Sequence, residues 1–201
     1  VAPDSGAMTY FLPLHGHFRT YLDGTHCCVS SGSENTPRYN EWIYFQDRDS
    51  LYANLYIPSQ VEWRAGGLTL RQEGDPARGE PVRFTIVGSE GDERALCLRI
   101  PHWITGAASV ELNGEPVETE ARPSSYVTLR RRWTEGDVVT LTLPAGLRLE
   151  RARDDESMVA FFHGPVLLAG ELGSEGMPND FADKDAYLGM PPVEVPEIVA
   201  N

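Results

Sequence analysis

Val82-Arg83-Phe84-Thr85-Ile86 alternates apolar with polar residues, so Val82, Phe84 and Ile86 share one face of an extended strand. Leu96, Leu98 and Ile100 repeat the pattern, as do Val127 with Leu129, and then Val139, Leu141 and Leu143. Side chains of a strand alternate between its two faces, so each run has one face for a core and one for solvent. Turn signals separate the runs. Asn113-Gly114 suits a type I′ hairpin, and Glu135-Gly136-Asp137 punctuates the next pair. Short alternating strands broken by such turns predict a mainly β chain built as a sandwich.

Composition agrees. The 201 residues include 19 glycines and 15 prolines, which argues against a helical bundle. The chain is 41% hydrophobic, enough for one domain or two small ones. Its apolar runs are only a few residues long, far short of the ~20 a membrane-spanning helix needs. A formal net charge of −13, with no basic stripe against it, makes a nucleic-acid partner unfavourable. Three cysteines are too few for a disulfide scaffold. The start at Val1-Ala2-Pro3-Asp4, with no initiator Met, and the proline-rich Pro191-Pro192-Val193-Glu194-Val195-Pro196 make the chain read as a piece of a larger one.

Outward from the strands, residues 1 to about 40 read as loop, rich in Gly, His, Ser and Tyr, with no helical period. A further β segment lies around 158–169 and needs strands from elsewhere to close its sheet. The chemical oddity is His26-Cys27-Cys28. Adjacent cysteines make a strained disulfide. Three readings stand: two inert buried thiols, two thiolate ligands to Zn²⁺, or one nucleophilic thiolate with His26 as helper. Two thiols are half a zinc site. Cys97 sits between Leu96 and Leu98 and reads as a small residue filling a strand face. No further Cys or His spacing completes the set, so remaining ligands are expected outside the chain. His15, His17, His102 and His163 read as loop or strand-end residues. Asp23 and Glu34 flank the pair as acid–base candidates or as plain solvated carboxylates. Tyr39, Trp42, Tyr44, Phe45, Tyr52 and Tyr56 read as packing aromatics, with a sugar platform as the alternative.

Several blocks occur in a telling order. Cys27-Cys28 is followed by Gly32-Ser33-Glu34-Asn35. Then come Leu51-Tyr52-Ala53-Asn54-Leu55-Tyr56-Ile57-Pro58-Ser59, Leu68-Thr69-Leu70-Arg71-Gln72-Glu73 and Leu98-Arg99-Ile100-Pro101-His102-Trp103. Asn113-Gly114, Arg132-Trp133, Gly136-Asp137 and Gly164-Pro165-Val166-Leu167-Leu168-Ala169-Gly170 complete the series. In this order the chain resembles the C-terminal part of the family 127 glycoside hydrolases, the β-L-arabinofuranosidases, and their relative family 146. The resemblance implies β-sandwich, jelly-roll-like domains following an (α/α)6-barrel catalytic domain that is mostly absent here. Residues 1–44 would be the end of that barrel with the cysteine loop and an exit strand. Residues 45–147 would be the middle sandwich, and 148–201 an incomplete second sandwich.

The resemblance further implies a retaining hydrolase with Cys27 as nucleophile and Cys28 as a permanent zinc ligand. Cys27 would also touch the metal, and His26 is expected near the substrate. The acid/base glutamate and the other zinc ligands, a Glu and a Cys, would lie upstream. Expected partners are a glycan containing L-arabinofuranose and the upstream barrel. The chain alone is expected to be inactive, and a bacterial-type cytoplasm suits a reduced zinc–thiolate pair. Thr25-His26, Val29-Ser30-Ser31-Gly32-Ser33 and Thr36 depart from the family's usual residues around the pair, which bears on sugar specificity. The alternatives are an accessory sandwich that binds carbohydrate or braces a domain, and a structural zinc module.

Overall fold

The computed structural model of the protein describes residues 27–170, with only the backbone of residues 27–29 and 36. Most of these residues lie in one compact unit, Asn40–Glu171. The described residues begin with a helix, α1 (Cys27–Ile43), and a short strand, β1 (Tyr44–Gln46). There follow β2 (Ser50–Ala53), β3 (Ser59–Trp63), β4 (Leu68–Glu73), β5 (Val82–Ser89), β6 (Glu93–Ile100), β7 (Ser109–Leu112), β8 (Glu115–Val117), β9 (Ser125–Arg132) and β10 (Val138–Thr142). A last group holds β11 (Leu147–Arg151), β12 (Val159–His163) and β13 (Val166–Leu167).

Three sheets form among the described residues. One is four-stranded in the order β1-β2-β6-β9, a second six-stranded in the order β3-β4-β5-β10-β7-β8, and a third is β11-β12-β13. The expected mainly β fold is borne out. The alternation read in the sequence is the inward face of the first two sheets. Val82, Phe84, Ile86, Leu96, Leu98, Ile100, Val127, Leu129, Val139 and Leu141 all join one buried cluster. Burial of this apolar area is the main stabilising term of the sandwich. β2 runs parallel to β6, and every other pairing among the described residues is antiparallel.

The turns bear out one expectation and modify another. Asn113 (φ 53) and Gly114 (φ 85) both take the left-handed conformation that a type I′ turn requires, and they join β7 to β8. Glu135-Gly136-Asp137 joins β9 to β10, which lie in different sheets, so it is a crossing between layers and not a hairpin. Asp137 holds that crossing. Its carboxylate accepts from the Thr134 N–H and from Asn113 Nδ2, both at 2.9 Å. Asn113 Oδ1 in turn accepts from the Val138 N–H at 2.8 Å. Trp133, buried at the same crossing, donates its indole N–H to the Arg94 carbonyl at 3.0 Å.

One expectation fails. From Cys27 onward the segment read as loop is helical as far as Ile43. Three serines, Gly32, Asn35 and an internal Pro37 give it low helix propensity. Of its described side chains only Ile43 is buried, so no apolar stripe exists for the sequence to display. Among the described residues no helix is long and apolar enough to cross a membrane.

Candidate functional site

The predicted site divides between what is described and what is not. His26, Asp23, His15 and His17 lie outside the described residues. The backbone of Cys27 and Cys28 forms the first turn of α1, and their side chains are not described. Downstream on α1, Glu34 is exposed and meets Arg38 one turn later at 3.5 Å. Among the described residues there is no group of three or more His, Cys, Asp or Glu that could hold a metal ion.

Cys97 is in β6, only 3% exposed, with its Sγ 3.5 Å from Thr128 Oγ1. Burial pushes its thiol pKa up, and the Thr128 contact offsets this only in part. Such a thiol stays protonated and unreactive. His102 is exposed beyond the end of β6, and His163 closes β12 opposite Leu147.

The aromatic residues separate into two groups. Tyr44 and Tyr56 pack against the core, and the Tyr56 hydroxyl donates to the Arg99 carbonyl. Burial raises the pKa of both hydroxyls. Tyr52 stands edge-on to Tyr126 at 5.5 Å, its hydroxyl donating to Asp47 at 2.9 Å. By contrast Tyr39, Trp42 and Phe45 present nearly half their surface to solvent.

Phe45 opens onto a groove of about 400 Å³ that sequence reasoning missed. It runs between β1 and β3, the edge strands of two different sheets. Tyr44 and Leu51 wall it on one side, Val61 and Trp63 on the other, with Gln46, Glu62 and Arg64 at its rim. Arg64 Nε donates to Glu62 Oε1 at 3.1 Å. Trp63 is only 4% exposed, and its indole Nε1 is buried with no hydrogen-bond partner among the described residues. No periodicity signals this groove, because its two walls come from strands that are not hydrogen-bonded to each other.

A two-sheet sandwich of about a hundred residues, preceded by a cysteine pair on a helix, defines a β-sandwich module. Residues 50–145 match the family model described as "Beta-L-arabinofuranosidase, GH127 middle domain". The resemblance read in the sequence is borne out over that stretch. Among solved structures, the chain is similar to a GH127 β-L-arabinofuranosidase from Geobacillus stearothermophilus T6, at 29% identity and a TM-score of 0.64. That match covers 76% of this chain and 25% of the other. A structure described as a glycoside hydrolase matches at 28% identity and a TM-score of 0.65, covering 83% of this chain and 28% of its own. A second GH127 β-arabinofuranosidase matches at 26% identity and a TM-score of 0.65, covering 74% and 27%. The chain thus spans about a quarter of the length of these relatives. No match was found among curated proteins.

Proposed function

We propose that the chain is part of a retaining glycoside hydrolase that releases terminal β-L-arabinofuranosyl units, with Cys27 as its nucleophile. The observation that carries this reading is the match of residues 50–145 to the GH127 middle domain, with Cys27-Cys28 ahead of it at the start of a helix. The relatives named β-L-arabinofuranosidase supply the substrate class. In the proposed reaction the Cys27 thiolate attacks the anomeric carbon and the glycosidic C–O bond breaks. A carboxylic acid outside this chain protonates the departing oxygen. Water then gives a proton back to that carboxylate and attacks the same carbon, the C–S bond breaks to return the thiolate, and two inversions give net retention.

Cys27 and Cys28 fit zinc by the chemistry of their donors, since thiolates are soft ligands that this ion favours. They would hold it together with ligands from outside the described residues. Bound there, zinc would keep the Cys27 thiol deprotonated near neutral pH. Substrate is a glycan bearing L-arabinofuranose, and the partner is the barrel domain expected upstream.

The test is hydrolysis of an aryl β-L-arabinofuranoside by the full-length protein. Cys27→Ser should lower turnover by on the order of 10³-fold or more with the circular dichroism spectrum unchanged. A Cys27→Ser enzyme that keeps its activity would sink the proposal and favour an accessory sandwich. Equal loss of folding in Cys27→Ser and Cys28→Ser would favour a structural zinc module.

A further inference from the structure

We infer that Asn113 is a site of spontaneous deamidation, and that its conversion unfastens the β7–β8 hairpin from the crossing between the sheets. Among the asparagines of the sequence, Asn113 alone is followed by glycine. In this reaction the backbone nitrogen of the following residue attacks the side-chain carbonyl carbon. A Cβ on that residue crowds the approach, and glycine has none. Asn113 and Gly114 are exposed at the tip of the hairpin, with open space where a Gly114 Cβ would be, so water reaches the site. Among the described residues no backbone acceptor holds the Gly114 N–H. The Val138 N–H, 2.8 Å from Asn113 Oδ1, draws electron density from the carbonyl that is attacked.

The step balances with water alone. The Gly114 nitrogen gives up its proton and bonds to Asn113 Cγ, the Cγ–Nδ2 bond breaks, and the amide nitrogen leaves with that proton as ammonia. Water then opens the cyclic imide at either of its two carbonyls. One opening leaves aspartate at position 113. The other leaves isoaspartate, in which the main chain runs through the former side chain. No oxidant, cofactor or enzyme enters. The hydrogen bond from Asn113 Nδ2 to Asp137 Oδ1, at 2.9 Å, restrains the side chain and sets the pace in the native state.

The product meets Asp137 in a different way. Asn113 extends the β7–β10 ladder by one residue: its N–H donates to the Val138 carbonyl at 2.8 Å, and its Oδ1 accepts from the Val138 N–H. An aspartate keeps one oxygen for Val138. Its other oxygen stands where the Nδ2 donor was, against a carboxylate that is only 8% exposed. Two like charges at hydrogen-bond distance repel, and Asp137 loses a donor. The Arg131 guanidinium faces the far oxygen of Asp137 at 3.6 Å and offsets one of the two charges. Isoaspartate also lengthens the main chain inside a two-residue turn, where loop length sets strand register. In its sheet β8 has β7 as its one neighbour, so the hairpin frays once the turn and the Asp137 contact fail.

The experiment is peptide mapping by mass spectrometry of the full-length protein, held folded at mildly alkaline pH in heavy-oxygen water. The urea-unfolded protein is the positive control. The expected result is conversion of the peptide that holds Asn113, with one heavy oxygen taken up. Asp137→Ala should speed it about tenfold, the worth of one hydrogen bond to a charged group. Gly114→Ala should abolish it. Asn113→Asp reproduces the added charge in a turn that suits Asp-Gly as well as Asn-Gly. In that variant the amides of β7 and β8 should exchange hydrogen about tenfold faster than in the wild type. No conversion in the folded protein while the unfolded control converts would overturn the site. Undiminished conversion in Gly114→Ala would overturn the cyclisation, and unchanged exchange in Asn113→Asp would overturn the unfastening. Asn113 and Gly114 are exposed, so their variants remain informative if Asp137→Ala fails to fold.

Discussion

Asp137 shows how one side chain governs the joint between two sheets. Its carboxyl is nearly buried, and desolvation alone would raise its pKa. The hydrogen bonds from Asn113 and the Thr134 N–H, with the Arg131 guanidinium at 3.6 Å, outweigh that cost and hold the pKa below the ordinary carboxylate value. A depressed folded-state pKa contributes stability above the unfolded value of about 3.9, and that contribution is lost as pH falls through the folded value. Asp137→Asn should therefore destabilise the chain at pH 7 by about 1–3 kcal/mol. Urea unfolding should show the wild-type and variant stabilities converging as pH drops below about 4. A gap that stays constant down to pH 3 would contradict this account. The sequence offered Asn113 and Asp137 only as turn formers. That they bond to each other follows from a contact between residues 24 positions apart.

At the scale of elements, glycines with positive φ divide by what surrounds them. Gly114 (φ 85) has open space where a Cβ would be, so Gly114→Ala meets only the backbone penalty, about 1–2 kcal/mol. Gly74 (φ 101) follows β4, and a Cβ there would lie 2.1 Å from the Pro81 carbonyl oxygen. That neighbour is backbone and cannot swing aside. Gly74→Ala should lower Tm clearly more than Gly114→Ala, by about a further 1–3 kcal/mol of overpacking. Equal melting temperatures for the two variants would refute the distinction. Strands and the hairpin were legible because burial on one face imposes period two on the sequence. Helix α1 was not, since its single buried described side chain, Ile43, imposes no period at all.

Over the whole molecule, the two sandwich sheets and the third sheet differ in how much they bury. Phe84 lies at the centre of the core with no exposed surface, whereas Leu147 on β11 is 73% exposed. Phe84→Ala should cost about 3–5 kcal/mol, through lost transfer energy and the cavity left behind. Leu147→Ala should stay within about 0.5 kcal/mol. Thermal unfolding of the two variants checks both, and a large loss in Leu147→Ala would mean that β11 is packed against more than its own sheet. Leu149, Val159 and Val166 share that face with Leu147 and are also exposed, in line with the expectation that this segment needs strands from elsewhere.

The sequence by itself determined the strands, the faces they bury, the type I′ turn and the presence of a cysteine pair ahead of them. These depend on local sterics and on alternation, which nearest neighbours in the chain express. Only the tertiary structure decided that β2 lies parallel to β6, that β9 and β10 belong to different layers, and that β1 and β3 frame a groove. Strand order is set by hydrogen bonds and packing between distant segments, and a period of two is blind to which segment is the partner. The groove is the sharpest case. It exists because two strands remain edges on the same side of the sandwich, a property of the assembled sheets that neither strand carries in its own residues.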